Sequence, residues 1–172
     1  MSIFKGAGVA IVTPMKENEE VNYEKLQELI EWQIDQGTDA IIIAGTTGES
    51  STLTMEEHSK VIKAAVEFAK HRVPVVAGSG SNCTREAIYL TQEAEEAGAD
   101  GILAVTPYYN KCTQKGLAEH FTLIAHRAVW YVIILKLQSV QSYRSSCIMY
   151  LEEPDAIFFR RQQQRFLRKL KM

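Results

Sequence analysis

Along the first 126 residues, hydrophobic positions alternate between unbroken apolar runs and helical spacing. Gly8-Val9-Ala10-Ile11-Val12 is a short run with β-branched residues and predicts a strand. From Asn22 to Gln36, Leu26, Leu29, Ile30 and Ile34 follow helical spacing, and Gly37 suits the position after a helix. Asp39 to Ala44 holds Ile41-Ile42-Ile43, continuous enough for a strand buried on both faces. Thr54-Met55-Glu56-Glu57 is a capping-box pattern that opens a helix to about Lys70. Val73-Pro74-Val75-Val76-Ala77 predicts the third strand. Thr84 is expected to cap a helix with Ala87, Leu90, Ala94 and Ala97 on one face, ended by Gly98. Gly101 to Val105 predicts a fourth strand. A helix from about Thr113 to Ala125 follows, with Leu117, Phe121 and Ile124 on one face.

Four βα units in a row imply a parallel sheet covered by helices, hence the α/β class. Two architectures compete, an open doubly wound sheet and a (β/α)8 barrel. The doubly wound sheet favours a GxGxxG fingerprint after its first strand. Thr13-Pro14-Met15 stands there instead, which favours the barrel. A complete barrel typically needs ~250 residues, whereas this sequence has 172 and only half the units.

The composition, 46% hydrophobic and 23% charged, is that of an ordinary globular protein. Net charge is −2, so no global basic field invites nucleic acid or anionic membrane. No run is long and apolar enough for a membrane span. The first residues lack the apolar core of a signal peptide, so a cytoplasmic location is expected. Cys83, Cys112 and Cys147 lack metal-site spacing and suit a reducing compartment.

These averages conceal a break. Residues 1–126 carry 10 Lys and Arg against 18 Asp and Glu, a net of −8, whereas residues 127–172 carry 9 against 3, a net of +6. All ten glycines lie between Gly6 and Gly116.

In parallel α/β folds, sites form at the carboxyl ends of strands. The segments there are Gly45-Thr46-Thr47-Gly48-Glu49-Ser50, Gly78-Ser79-Gly80-Ser81-Asn82 and Thr106-Pro107-Tyr108-Tyr109-Asn110-Lys111. Hydroxyls and backbone amides beside glycines suit a small carboxylate, because glycine lets the backbone approach an anion. A neighbouring tyrosine suits proton relay. Read alone, Gly-Thr-Thr-Gly is a turn and helix entry, and Tyr108-Tyr109 a packing or subunit contact. His58, early in a helix, reads as a solvated or capping residue. His71, His120 and His126 have no metal-ligand spacing, so neither metal nor cofactor is expected. No lysine or arginine of residues 1–126 falls at the inner end of a strand, where a desolvated Schiff-base lysine belongs; Lys111 comes nearest.

Together, Gly8-Val9-Ala10-Ile11-Val12-Thr13-Pro14, Gly45 to Ser50, Val75 to Gly80 and Thr106 to Lys111 resemble the dihydrodipicolinate synthase family of pyruvate-dependent (β/α)8 aldolases. The resemblance runs over residues 1–126. N-acetylneuraminate lyase belongs to the same group, but the double threonine and Pro-Tyr-Tyr-Asn favour the synthase. The resemblance implies condensation of pyruvate with aspartate 4-semialdehyde through a lysine Schiff base, toward lysine and diaminopimelate. It implies that Thr46 and Tyr109 relay protons, Tyr109 across a dimer interface, and that Thr47 binds the pyruvate carboxylate. It further implies an allosteric lysine site at Ser51, His58, Asn82, Glu86 and Tyr108, and a homo-oligomer.

Past Arg127 the resemblance stops. The family's Tyr-Asn-Val-Pro-x-Arg-Thr loop and its strand-6 lysine are missing as protein. Back-translating Cys147-Ile148-Met149-Tyr150-Leu151-Glu152-Glu153-Pro154 with suitable synonymous codons and reading from the third base gives Tyr-Asn-Val-Pro-Gly-Arg-Thr. The expectation is therefore a truncated product whose frame shifts between about Arg127 and Ser142, with residues 127–172 an out-of-frame tail. Tyr131 to Leu135 still has the composition of a fifth strand. A half-barrel of this kind is expected to be inactive and to leave strand edges unpaired. The rival reading is a non-enzymatic half-barrel that self-associates or binds small carboxylates. A basic amphipathic tail, Phe158 to Met172, contacting nucleic acid or membrane is a further alternative.

Overall fold

The computed structural model describes residues 3–110, 112–127, 131–135, 148–150 and 157–159. Its strands are β1 (Ala7–Ala10), β2 (Ala40–Ile43), β3 (Val75–Gly78), β4 (Gly101–Val105), β5 (Tyr131–Leu135), β6 (Ile148–Tyr150) and β7 (Ile157–Phe159). Its helices are α1 (Tyr23–Asp35), α2 (Met55–Ala69), α3 (Thr84–Glu96) and α4 (Gln114–Arg127). Strands β1 to β5 lie side by side in chain order, all parallel. A doubly wound sheet reverses its strand order at a switch point, and no reversal occurs here. The architecture is the first four βα units of a (β/α)8 barrel, with Tyr131–Leu135 in the fifth-strand position.

Both faces of the sheet are apolar, as the continuous strand runs require. Ile41, Ile43, Val75, Ala77, Ile102 and Ala104 join Leu26, Ile30, Ile62 and Ile124 of the helices in one core. Ala40, Ile42 and Val76 point the other way and cluster with Phe4. Gly8 makes room for that ring, since a Cβ there would stand 2.7 Å from Phe4 Cζ.

Helix boundaries follow the capping residues. The Asn22 side chain accepts from Lys25 N–H at the start of α1, and Gly37 follows its end at φ +86°. Thr54 and Glu57 form the reciprocal capping box of α2. The hydrogen bond from Thr54 N–H holds the Glu57 carboxyl below its ordinary range. At α3 the expected cap is displaced. Cys83 occupies the N-cap with no side-chain bond, and Thr84 Oγ1 instead meets His120 Nδ1 on α4 at 2.9 Å. The third strand starts at Val75 rather than Val73, where Val75 N–H donates to Asp100 Oδ2 at 2.9 Å.

The expectation of bare strand edges is corrected. β6 pairs antiparallel with β1, with Gly8 opposite Met149, and β7 pairs antiparallel with β5, with Ile133 opposite Phe158. Each edge of the parallel sheet is covered by a three-residue antiparallel strand.

The capping box contributes measurably to α2. Thr54→Ala should lower unfolding stability by ~1 kcal/mol in a urea titration, with the slope of the transition unchanged.

Candidate active site and adjoining cleft

At the carboxyl end of β2 the chain turns sharply. Ala44 takes a left-handed conformation, φ +51°, which is uncommon for a residue with a side chain. The Gly45-Thr46-Thr47-Gly48 loop starts from it and ends at Glu49, also left-handed at φ +54°. Glu49 N–H donates to Thr46 O at 3.1 Å and Ser50 N–H to Gly45 O at 3.3 Å, so the loop is a closed turn. Its floor is Gly78, where a Cβ would lie 2.4 Å from the Ala44 carbonyl oxygen. Its side is Thr13, whose buried hydroxyl donates to Gly48 O at 2.7 Å. Thr46 is exposed and Thr47 half-buried.

The segment after β4 carries a second strained residue. Tyr109 has φ +65°, and Asn110 N–H donates to Tyr108 O at 2.7 Å across it. This tight turn leaves Tyr109 96% exposed.

Behind the loop lies a cleft of about 130 Å³ lined by Ser51, His58, Ser81, Glu86 and Tyr108, among others. Four of the five residues expected at an effector site thus share one cavity. Asn82, the fifth, is half-buried but not among its walls. The Glu86 carboxylate accepts from Ser81 Oγ, which also accepts from Cys83 N–H at 3.0 Å. Ser81 and Thr13 were not assigned roles from the sequence, although Thr13 lies in a motif that carries the resemblance and Ser81 follows one directly.

His58 departs from its expected solvated state. It is buried, 3% exposed, because the start of α2 sits over the ends of β2 and β3. Burial pushes its pKa down, while the carbonyls of Ala44 and Gly78 and the charge of Glu86 oppose that shift. Its Nδ1 has no hydrogen-bond partner. His120 is also buried and its pKa is lowered by burial. Lys111, Cys147 and the basic run from Arg160 lie outside the described residues. Lys5, Lys16, Lys25, Lys60, Lys63, Lys70 and Lys115 are all exposed. Among the described residues, no group of three His, Cys, Asp or Glu side chains is placed to hold a metal ion. No helix among them is long and apolar enough to cross a membrane.

Comparison with known proteins gives this geometry a family. The family model described as "Dihydrodipicolinate synthetase family" matches residues 3–145. The chain belongs to that family. The match includes β5 and runs past the break in charge. The 4-hydroxy-tetrahydrodipicolinate synthase of Lachnoclostridium phytofermentans is 72% identical over 125 residues, 73% of this chain and 42% of that protein. The enzyme of the same name from Thermoanaerobacter sp. strain X514 is 55% identical over 152 residues, 88% of this chain and 51% of that one. The chain thus spans about half or less of these curated relatives. The solved dihydrodipicolinate synthase of Aquifex aeolicus superposes with TM-score 0.74 at 56% identity, covering 76% of this chain and 44% of that one. The Acinetobacter baumannii enzyme, solved in complex with pyruvate, gives 0.74 at 52% identity, over 76% of this chain and 45% of that one.

Two measurements test the site's construction. Gly78→Ala forces backbone apart and should cost ~1–3 kcal/mol of stability by urea unfolding. His58 and His120 resist protonation in the folded chain more than in the unfolded one. The stability they confer is therefore complete above the ordinary imidazole value of about 6.5 and is lost as pH falls below it. Unfolding free energy from urea titration should fall as pH drops below about 6.5, by at most ~1.4 kcal/mol per pH unit for each ring. The drop should flatten in the His58→Gln, His120→Gln double variant.

Proposed function

We propose that this chain carries the carboxylate-anchoring and proton-relay part of a site that condenses pyruvate with aspartate 4-semialdehyde. The reading is carried by one observation: the clamped Gly45-Thr46-Thr47-Gly48 turn and the strained, exposed Tyr109 stand beyond the carboxyl ends of β2 and β4, parallel strands separated by β3 in a family barrel. In this reading Thr47 holds the pyruvate carboxylate by its hydroxyl and N–H. Thr46 and Tyr109 pass protons during carbinolamine formation and dehydration. The 96% exposure of Tyr109 fits a residue that a second subunit covers, so the working unit is a homo-oligomer. The product feeds lysine and diaminopimelate synthesis, a cytoplasmic route.

The covalent step needs a desolvated lysine, whose burial lowers its pKa and frees the amine as nucleophile. All the lysines with described side chains are exposed. By itself the chain then binds pyruvate without forming a Schiff base. The companion proposal divides the chain at residue 126 and reads residues 127–172 as out-of-frame translation. Sequencing the coding DNA tests this: no Tyr-Asn-Val-Pro-x-Arg-Thr reading in a shifted frame would overturn it.

The cleft supports a second role. Glu86 offers a carboxylate to an ammonium group, while Ser51, His58 and Tyr108 offer polar atoms to a carboxylate. This is the chemistry of a free basic amino acid such as lysine, acting as a feedback effector.

Borohydride treatment with pyruvate should leave the chain's mass unchanged; a pyruvate adduct on any lysine would refute the non-covalent reading. Pyruvate binding, followed by NMR titration, should weaken ~10-fold in Thr47→Val, as expected for loss of a hydrogen bond to a charged group. Lysine binding, measured by calorimetry, should be lost in Glu86→Ala and kept in Thr47→Val.

A further inference from the structure

Thr13 lies beyond the end of β1, beside the loop and outside the lining of the cleft, and its backbone is fixed on both sides. Ile11 N–H donates to Ile42 O at 3.1 Å, and Pro14 O accepts from Asn22 N–H at 2.8 Å. Pro14 locks its own φ and confines Thr13 to extended backbone. The hydroxyl is therefore presented from a rigid support. It is buried, and it donates to Gly48 O at 2.7 Å. This side-chain hydrogen bond ties the Gly45-Thr46-Thr47-Gly48 loop to the segment that follows β1.

Space around the acceptor is equally limited. A Cβ on Gly48 would lie 3.1 Å from Ala44 N and 3.2 Å from Thr13 Oγ1. The Gly48 peptide is thus held between a hydroxyl on one side and the left-handed Ala44 on the other. The Gly48 carbonyl shares its peptide plane with Glu49 N–H, which donates to Thr46 O at 3.1 Å, so turning that peptide loosens the hydrogen bond that closes the loop over Thr46 and Thr47. A buried carbonyl that loses its donor must turn to find another or remain unsatisfied at a cost.

We propose that Thr13 is a positioning residue for the carboxylate-anchoring threonines, acting through the Gly48 carbonyl without touching substrate. This rests on the assignment of Thr47 to pyruvate made above. A valine at 13 would fill the same volume, so packing alone cannot substitute for the hydroxyl's role.

The test compares Thr13→Val, Thr13→Ser and Thr47→Val in the full chain. Amide exchange at Glu49 and Ser50, whose N–H groups close the loop, reads positioning. Pyruvate titration by NMR reads binding. Thr13→Val should speed exchange at those two amides by about tenfold while α1 and α3 keep theirs, and should weaken pyruvate by about tenfold. Thr13→Ser should restore both, and Thr47→Val should weaken pyruvate while leaving exchange unchanged. Wild-type exchange at Glu49 and Ser50 in Thr13→Val overturns the proposal. So does faster exchange spread evenly over the chain, which would mark a merely structural residue. If the wild-type chain fails to bind pyruvate while Thr13→Val still loosens the loop, the substrate assignment falls and the positioning role stands.

Discussion

Between the ends of β2 and β3 there is room for a carbonyl oxygen and for nothing more. The Ala44 oxygen occupies that space, 2.4 Å from where a Cβ on residue 78 would stand, so glycine is required there. Because β2 and β3 are held at ladder spacing, the chain leaving β2 cannot continue straight. Ala44 accepts a left-handed backbone instead, and the Thr46-Thr47 turn rises from it. The same crowding brings His58 over the carbonyls of Ala44 and Gly78. His58 also lines the cleft that holds Glu86 and Tyr108, so the threonine loop and the cleft are joined through this ring.

Much of this was legible in the sequence, and for identifiable reasons. The capping box at Thr54 and the glycines at 37 and 98 fix helix ends by local chemistry, which needs no tertiary context. Continuous β-branched runs marked the strands because both sheet faces are covered. Thr84 was misjudged because its hydroxyl had a competing partner, His120, thirty-six residues away. His58 was misjudged because a helix start usually faces water, whereas this one lies over the backbone of Ala44 and Gly78 at the ends of β2 and β3. The short strands at 148–150 and 157–159 are too brief to show any period. Thr13 was visible as part of a motif, but its partner at Gly48 depends on a register no single sequence reveals.

A barrel built from repeated βα units distributes its work among strand ends. In the proposed reading, anchoring and proton relay come from the second and fourth strand ends, and the covalent lysine from beyond the fourth unit. Each group reaches the reacting carbon only because all the strands are parallel and their carboxyl ends lie on one rim. Recognition of a small acid and its covalent activation are thus physically separable along the chain. The half described here has both sheet faces packed, including the inner face, where Phe4 lies over Gly8.

The antiparallel strands at the two edges carry a kinetic consequence. The βα units join neighbours in the chain, so their pairings close short loops. The pairing of Gly8 with Met149 joins segments that are far apart in sequence. Its loop-closure entropy is recovered only after the units between have assembled, and only a few rungs recover it. During synthesis β1 emerges long before its antiparallel partner exists. The nascent sheet therefore passes through a stage with an open edge, and that interval, rather than the finished fold, is when chaperones or other chains have access to it.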